Sequence, residues 1–337
     1  MIEHLELHNF RSHRELKVDF RSGMNIITGP NGCGKTTILE AIYIALVGKS
    51  WRSNFEEITH RPVTDVENWW KIDLTVNNEH RTVKYIHGQK EFILVDKSFK
   101  RLSAQRKVPV ILFEPNDMQL LYGSPKRRRD FLDRMIAVVA PEHQADVNKF
   151  ERVLKQRNNL IKQEFVSSDE LLIWDIQFAE LSSRISERRR KFVTKLNQTL
   201  NAKYCEIASM DDKVKLRFES SAPATQTDIL KILQSSRDTV TPIGAQKDDF
   251  KFIFNSKDSR LNASRGENRT TLFALLAVIV DLVRNSLGKA YVLLDDVDSE
   301  LDEVHRHNLY TTSSFRVDTI ATTLSYNGSE CNHIQLK

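Results

Sequence analysis

The sequence predicts an α/β protein interrupted by a helical insert, and three observations carry that expectation. Met24–Thr28, Gly29–Thr36 and Thr37–Val47 read in order as a short apolar strand, a glycine-rich loop and a buried helix stopped by Gly48. Far downstream, the apolar run Tyr291–Leu294 ends on the acid pair Asp295-Asp296. Between them, apolar residues at helical spacing continue from Ser124 to Leu196 without a strand. The loop and the acid-bearing strand can serve one site only by sharing a sheet, so the two ends of the chain should fold together. Residues 1–115 and 243–337 are expected to form one α/β domain, with a mixed sheet and an antiparallel lobe. Residues 116–242 are expected to form the inserted helical arm.

The remaining elements follow the chain's punctuation. Ile2–Phe10 alternates as a strand, and Leu16–Phe20 follows it. Trp70–Val76, Arg81–Ile86 and Phe92–Val95 are strands separated by turns at Asn77-Asn78 and His87-Gly88, an antiparallel meander with Trp69-Trp70 in its core. Val108–Phe113 is a further strand, ending in the loop Glu114–Asp117. Ser124-Pro125 is a helix start, a cap followed by proline in the first turn. Phe131, Leu132, Met135, Ile136 and Val139 share one face of that helix. After Pro141, Val147, Phe150, Leu154, Ile161 and Phe165 define a second helix. A third buries Phe178, Leu181, Ile185, Phe192 and Leu196 and exposes Arg188-Arg189-Arg190-Lys191. Lys213–Phe218 and Lys251–Phe254 are strands, Asp228–Arg237 a helix, and Thr270–Leu287 a long apolar helix.

Composition narrows the classes. A chain of 337 residues accommodates two domains and a substantial core. No apolar run reads as a membrane span, and Met1–Leu5 carries Glu3 and no signal-type core, so a cytoplasmic protein without a membrane partner is expected. Cys33, Cys205 and Cys331 have neither metal spacing nor the pairing of a disulfide framework. The net charge is +5, and residues 125–200 alone hold 16 Lys+Arg against 11 Asp+Glu. A surplus confined to one segment points to an anionic partner.

The loop Gly29-Pro30-Asn31-Gly32-Cys33-Gly34-Lys35-Thr36 fits G-x-x-x-x-G-K-[ST] at every fixed position. Glycines let backbone N–H groups and the helix start, through Thr37, face the phosphates of a nucleoside triphosphate. Lys35 is expected to reach the β- and γ-phosphates, and the Thr36 hydroxyl to sit on Mg²⁺. Asp295 completes that metal site, and Asp296 takes the place of a general base for attacking water. Asp117 reads equally as a contact to metal-bound water or as a loop cap. Arg11 reads equally as a nucleotide contact or as a surface ion pair.

Ser264-Arg265-Gly266-Glu267 opens the Thr270 helix, and Ser299-Glu300-Leu301-Asp302 follows the acid pair. Loop, S-x-G-E, acidic strand and S-E-L-D, in that order, resemble the signature of the ABC-type ATPase head. That resemblance implies that Ser264, Gly266 and Glu267 of one subunit close on ATP held by another. Within the class, the chain resembles the RecF family of bacterial recombination mediators. The resemblance rests on Asn9-Phe10-Arg11, Glu40–Tyr43, Gly48–Arg52, Phe113–Met118, Gly123–Asp133, Gly244–Asp249, Ala263–Glu267 and Leu294–Val297 with Ser299–Asp302. It implies a weak, DNA-stimulated ATPase that dimerises head to head with two ATP molecules. It further implies work with RecR and RecO in loading RecA at single-strand gaps in DNA. Gln246-Lys247 replaces the family's usual His-Arg, Asp298 stands where a small or apolar residue is commoner, and the tail after Thr323 is unlike the family. Arg127, Arg128, Arg129, Arg188, Arg189 and Arg190 are the expected DNA contacts, made to phosphates and therefore blind to sequence. The alternatives are the ATPase subunit of a transporter or a nuclease-partnered defence ATPase. A transporter subunit normally has Glu after the strand's Asp and a His ending the next strand, where this chain has Asp296 and threonines.

Overall fold

The computed structural model describes residues 1–60, 68–163, 167–235, 241–296 and 303–336. Phe165, Arg237, Val297, Asp298 and the Ser299–Asp302 segment, each given a place by the sequence, lie outside the described residues. The chain opens with β1 (Ile2–Phe10), β2 (His13–Asp19), β3 (Met24–Thr28) and α1 (Lys35–Val47). The strands β4 (Trp69–Val76), β5 (Glu79–Ile86), β6 (Gln89–Leu94), β7 (Lys97–Phe99) and β8 (Val110–Phe113) follow. Next come α2 (Gln119–Tyr122), α3 (Pro125–Val139), α4 (Glu142–Leu160), α5 (Ser168–Asn197) and α6 (Leu200–Ala208). Then β9 (Val214–Glu219), α7 (Gln226–Ser235), β10 (Asp249–Phe254), β11 (Lys257–Asp258), α8 (Ser259–Asn262) and α9 (Arg265–Leu287) follow. The chain closes with β12 (Tyr291–Leu294), α10 (Glu303–Thr311), β13 (Thr319–Thr323) and β14 (Asn332–Gln335).

Two compact units result: Met1–Asp117 with Val280–Lys337, and Met118–Ile279. Residues 243–279, expected in the head, belong instead to the second unit. The reason is strand pairing, since β10 pairs with β9 along its whole length, from Asp249↔Glu219 to Phe254↔Val214.

The first unit contains two sheets. One is parallel in every described ladder, in the order β14-β3-β13-β12-β8; the other is the antiparallel β2-β1-β4-β5-β6-β7. The glycine-loop strand β3 and the acid-bearing strand β12 do share a sheet, with β13 between them. The helix α1 packs on both sheets and is buried from Thr37 to Leu46, so it must be apolar all round. Trp70 is fully buried in this core, stacked on Tyr85 and edge-on to Phe10 and Phe55, with its Nε1–H donated to the Phe55 carbonyl at 3.1 Å. Asn77 and Asn78 take φ of +51° and +60°, which closes the β4–β5 hairpin in the twist its strands require.

In the second unit, Phe150, Val153, Phe178, Leu181, Ile185, Ile229 and Leu233 form the core among α4, α5 and α7. The small sheet β11-β10-β9 accompanies them. The 23-residue α9 exceeds the sequence expectation for apolar runs, since its mean hydropathy reaches 1.6 over 18 residues. Because 72% of that window is buried within the protein, it reads as a core helix.

Candidate nucleotide site

The glycine loop turns into α1 at Gly34, whose φ is +95°. A side chain at Gly34 would also collide with Ser12 and His13, so both conformation and space demand glycine here. Burial lowers the pKa of His13, and the repulsion of nearby His60 adds to that, while its bond to the Gly34 carbonyl partly opposes it. The C-terminal tail also supports the loop: β14 pairs with β3, and the Leu336 N–H donates to the Thr28 carbonyl at 2.8 Å.

Above the loop lies a cavity of about 830 Å³. Asn31, Gly32, Gly34, Lys35, Thr36 and Thr37 line it, as do Arg11, Asp295 and Asp296. Gly29, Pro30 and Cys33 belong to the loop but not to this lining. Lys35 Nζ donates to the carbonyls of Gly29 at 2.6 Å and Pro30 at 3.0 Å, neutral acceptors that a phosphate would replace.

The acid pair sits at the end of β12. Thr36 Oγ1 lies 2.9 Å from both Asp295 carboxylate oxygens, and Thr322 Oγ1 donates to Asp295 Oδ1 at 2.7 Å. Burial pushes the Asp295 pKa above the ordinary carboxylate value, and the two hydroxyls and Arg52 offset it only in part. A hydroxyl and a carboxylate facing each other are hard oxygen donors that suit Mg²⁺, which takes few protein ligands and keeps phosphate oxygens. Asp296 has φ of +47°, a conformation unusual for a residue with a side chain and typical of functional sites.

Arg11 also stands at φ of +54° and lines the cavity while clamped to Glu40, at 3.0 Å to Oε2 and 2.7 Å to Oε1. It is not a surface ion pair, because Glu40 is fully buried. Asp117 is the loop cap: its Oδ2 accepts the Glu114 N–H at 3.1 Å, and it is absent from the cavity lining. Ser12, Arg52, Glu57, Thr59, His60, Pro115 and Thr322 complete the lining and had no role from the sequence. The prior signals were Arg52, within the Gly48–Arg52 segment, and Pro115, within Phe113–Met118, both of which carried the family resemblance.

The second unit holds Ser264, Gly266 and Glu267 at the start of α9. Ser264 and Glu267 form a reciprocal capping box, Glu267 N–H to Ser264 Oγ at 3.2 Å and Ser264 N–H to Glu267 Oε2 at 2.6 Å. The Ser264 hydroxyl proton is left to give elsewhere.

The arginine set is only partly on the surface. Arg128 is buried and binds Asp249 through two bonds of 2.6 and 2.9 Å. Arg189, expected to be exposed, is buried against Asp133 at 2.6 and 2.8 Å and Asp248 at 3.0 Å. Neither is available to DNA, because a buried guanidinium held by carboxylates cannot leave them cheaply. Arg129 is half-buried on the Asp248 carbonyl, Arg188 pairs with Asp146 and Arg190 with Glu187. Arg127 remains exposed. Exposed cations that the sequence did not single out include Lys149, Arg152, Lys155 and, just beyond α4, Lys162. They lie on one polar face, with no ion pair to a described residue.

A glycine loop opening a buried helix, paired acids two strands away in one parallel sheet and a second antiparallel sheet define the head of an ABC-type ATPase. A family profile described as "AAA domain" matches residues 4–306. The DNA replication and repair protein RecF of Streptococcus suis is 30% identical, over 96% of this chain and 93% of that protein. The chain belongs to the RecF family. A solved structure of the recombination mediator protein RecF-ATPrS in the RecFOR pathway superposes with a TM-score of 0.82 at 25% identity, covering 100% of this chain and 96% of that one. SmcHead bound to the C-winged helix domain of ScpA shares the fold, with a TM-score of 0.56 at 15% identity over 96% and 89% of the two chains.

Proposed function

We propose that this chain is a cytoplasmic, ATP-dependent DNA-binding protein of recombinational repair and replication restart. It binds ATP in the cavity above Gly29–Thr36, pairs head to head with a second copy on DNA at single-strand gaps, and hydrolyses ATP slowly to release. RecR, RecO and RecA are the partners that family membership suggests. The observation that carries the reading is the convergence of Lys35, Thr36, Asp295 and Asp296 on one cavity.

Lys35 exchanges its two carbonyl acceptors for the β- and γ-phosphates. Thr36 and Asp295 would hold Mg²⁺, which when bound neutralises phosphate charge. Asp296 takes the proton of a water whose oxygen bonds to the γ-phosphorus as the bond to the β–γ bridging oxygen breaks. The products are ADP and inorganic phosphate. Asp is one methylene shorter than the usual Glu, so alignment is demanding and turnover slow. The Ser264 hydroxyl and the start of α9 supply donors for the γ-phosphate of a second copy, which makes dimerisation specific to ATP.

DNA contact passes to the exposed cations, Lys149, Arg152, Lys155 and Lys162 on the α4 face together with Arg127 and the partly exposed Arg129, Arg188 and Arg190. The test is capture on single-strand-gapped duplex with ATP, ADP or no nucleotide. Retention that depends on ATP supports the reading; capture indifferent to nucleotide refutes it.

A further inference from the structure

We propose that Thr322 is the positioning residue that aligns both acids of the ATP site, an inference that rests on the nucleotide reading above. Thr322 is 1% exposed. It lies on β13, between the glycine-loop strand and the acid strand: Thr322 pairs with Ile27, and the β12–β13 ladder ends at Leu294↔Ala321, immediately before Asp295 and Thr322. Its hydroxyl has one proton, given to Asp295 Oδ1 at 2.7 Å. Its lone pair accepts the Asp296 N–H at 2.9 Å. One oxygen thus fixes the carboxylate that would hold the metal and the backbone that aims the general base. The Asp296 bond falls at a residue in the left-handed region (φ +47°), where a hydrogen bond to a rigid strand favours that conformation.

The Thr36 hydroxyl cannot do this work during turnover. Its present bond to Asp295 would be given up if the hydroxyl turned to a bound metal, whereas the Thr322 hydroxyl could keep both of its partners. Thr322 acts through the two acids and not on ATP itself. Its loss should therefore lower kcat and leave ATP binding in place.

The experiment compares Thr322→Val, which keeps the shape and removes the hydroxyl, with Thr322→Ser, which keeps the hydroxyl. Steady-state ATPase, nucleotide affinity and the lifetime of the ATP dimer in sedimentation are measured on the full chain. Misalignment by about 1 Å costs on the order of 100-fold, so Thr322→Val should lose roughly 10- to 100-fold in kcat with little change in KM. Its ATP dimers should outlast those of the unaltered protein, and Thr322→Ser should restore both properties. In an Asp296→Asn background, Thr322→Val should add little, because the two act as one unit. Unchanged kcat in Thr322→Val, or a Thr322→Ser variant as slow as Thr322→Val, would overturn the proposal while leaving the ATPase reading intact. Failure of the unaltered protein to hydrolyse ATP would overturn both.

Discussion

Arg189→Met separates a structural arginine from a DNA contact. The guanidinium is buried between Asp133 and Asp248, and its Nη1 also donates to the Ala245 carbonyl at 2.6 Å. Methionine fills much of the volume but leaves Asp133 to His143 alone and Asp248 to the hydroxyls of Ser186 and Ser220. Removing one partner of a buried pair costs roughly 3–5 kcal/mol. In a unit of this size each kcal/mol moves the melting temperature by about 2–4 °C, so a fall on the order of 10 °C is expected by calorimetry. Burial would raise the Asp133 pKa, but the bonds from Arg189 and His143 outweigh it and hold it below the ordinary value. The folded state therefore binds that proton less tightly than the unfolded chain does. The stabilisation is present above the unfolded pKa of about 4 and lost as pH falls through the lowered folded value. In Arg189→Met burial prevails, so protonation of Asp133 should favour the folded state, and the variant's stability deficit relative to the unaltered protein should shrink as pH falls. DNA affinity per folded molecule should be unchanged. A variant that melts normally but loses DNA affinity would refute the structural assignment of Arg189.

Three other outcomes are expected. Asp295→Asn should melt no lower than the unaltered protein without nucleotide, while losing Mg²⁺-dependent hydrolysis. A raised folded pKa means that the ionised carboxylate costs folded-state stability above that pKa, a cost that protonation or amidation removes. Replacing Lys149, Arg152 and Lys155 by Ala should flatten the salt dependence of duplex binding by up to about 0.9 for each DNA phosphate that is no longer neutralised. An unchanged slope would make that α4 face merely solvated. Ser264→Arg should remain monomeric by sedimentation in ATP, and a normal ATP dimer would remove the trans-site role of the capping box.

The parts of the site that chemistry ties to spacing were legible. Gly29–Thr36 must place glycines and a lysine at fixed offsets, and an apolar strand ending in acids could be found because it must share the sheet with β3. The rest lacked a local sign. Thr322 is an ordinary strand residue until β13 is known to lie between β3 and β12. The head boundary was misplaced because β10 is paired by β9, a partner set by long-range packing that periodicity does not reveal. The arginine runs misled for the same reason. A run of like charges reads as a solvated face, and nothing within it shows that Arg128 finds Asp249 121 residues away or that Arg189 finds Asp248 59 residues away.

That last pairing gives a physical account of two motifs that the sequence presented as separate. The basic segment after Pro125 and the Lys247-Asp248-Asp249 segment are two sides of one ionic arrangement. Arg128 holds the Asp249 carboxylate, Arg129 the Asp248 carbonyl, and Arg189 of α5 the Asp248 carboxylate. Without Arg189 the fully buried Asp248 carboxylate would lose its guanidinium partner, and Arg189 could not be desolvated without its acids. Neither side can change alone at small cost, so the segments are constrained together through the arm's interior. On this argument their specificity is a property of how α3, α5 and β10 are locked. Arg128 and Arg189 are thereby accounted for as structural groups, and a DNA surface proposed for this unit rests on its exposed cations instead, Lys149, Arg152 and Lys155 of α4 among them.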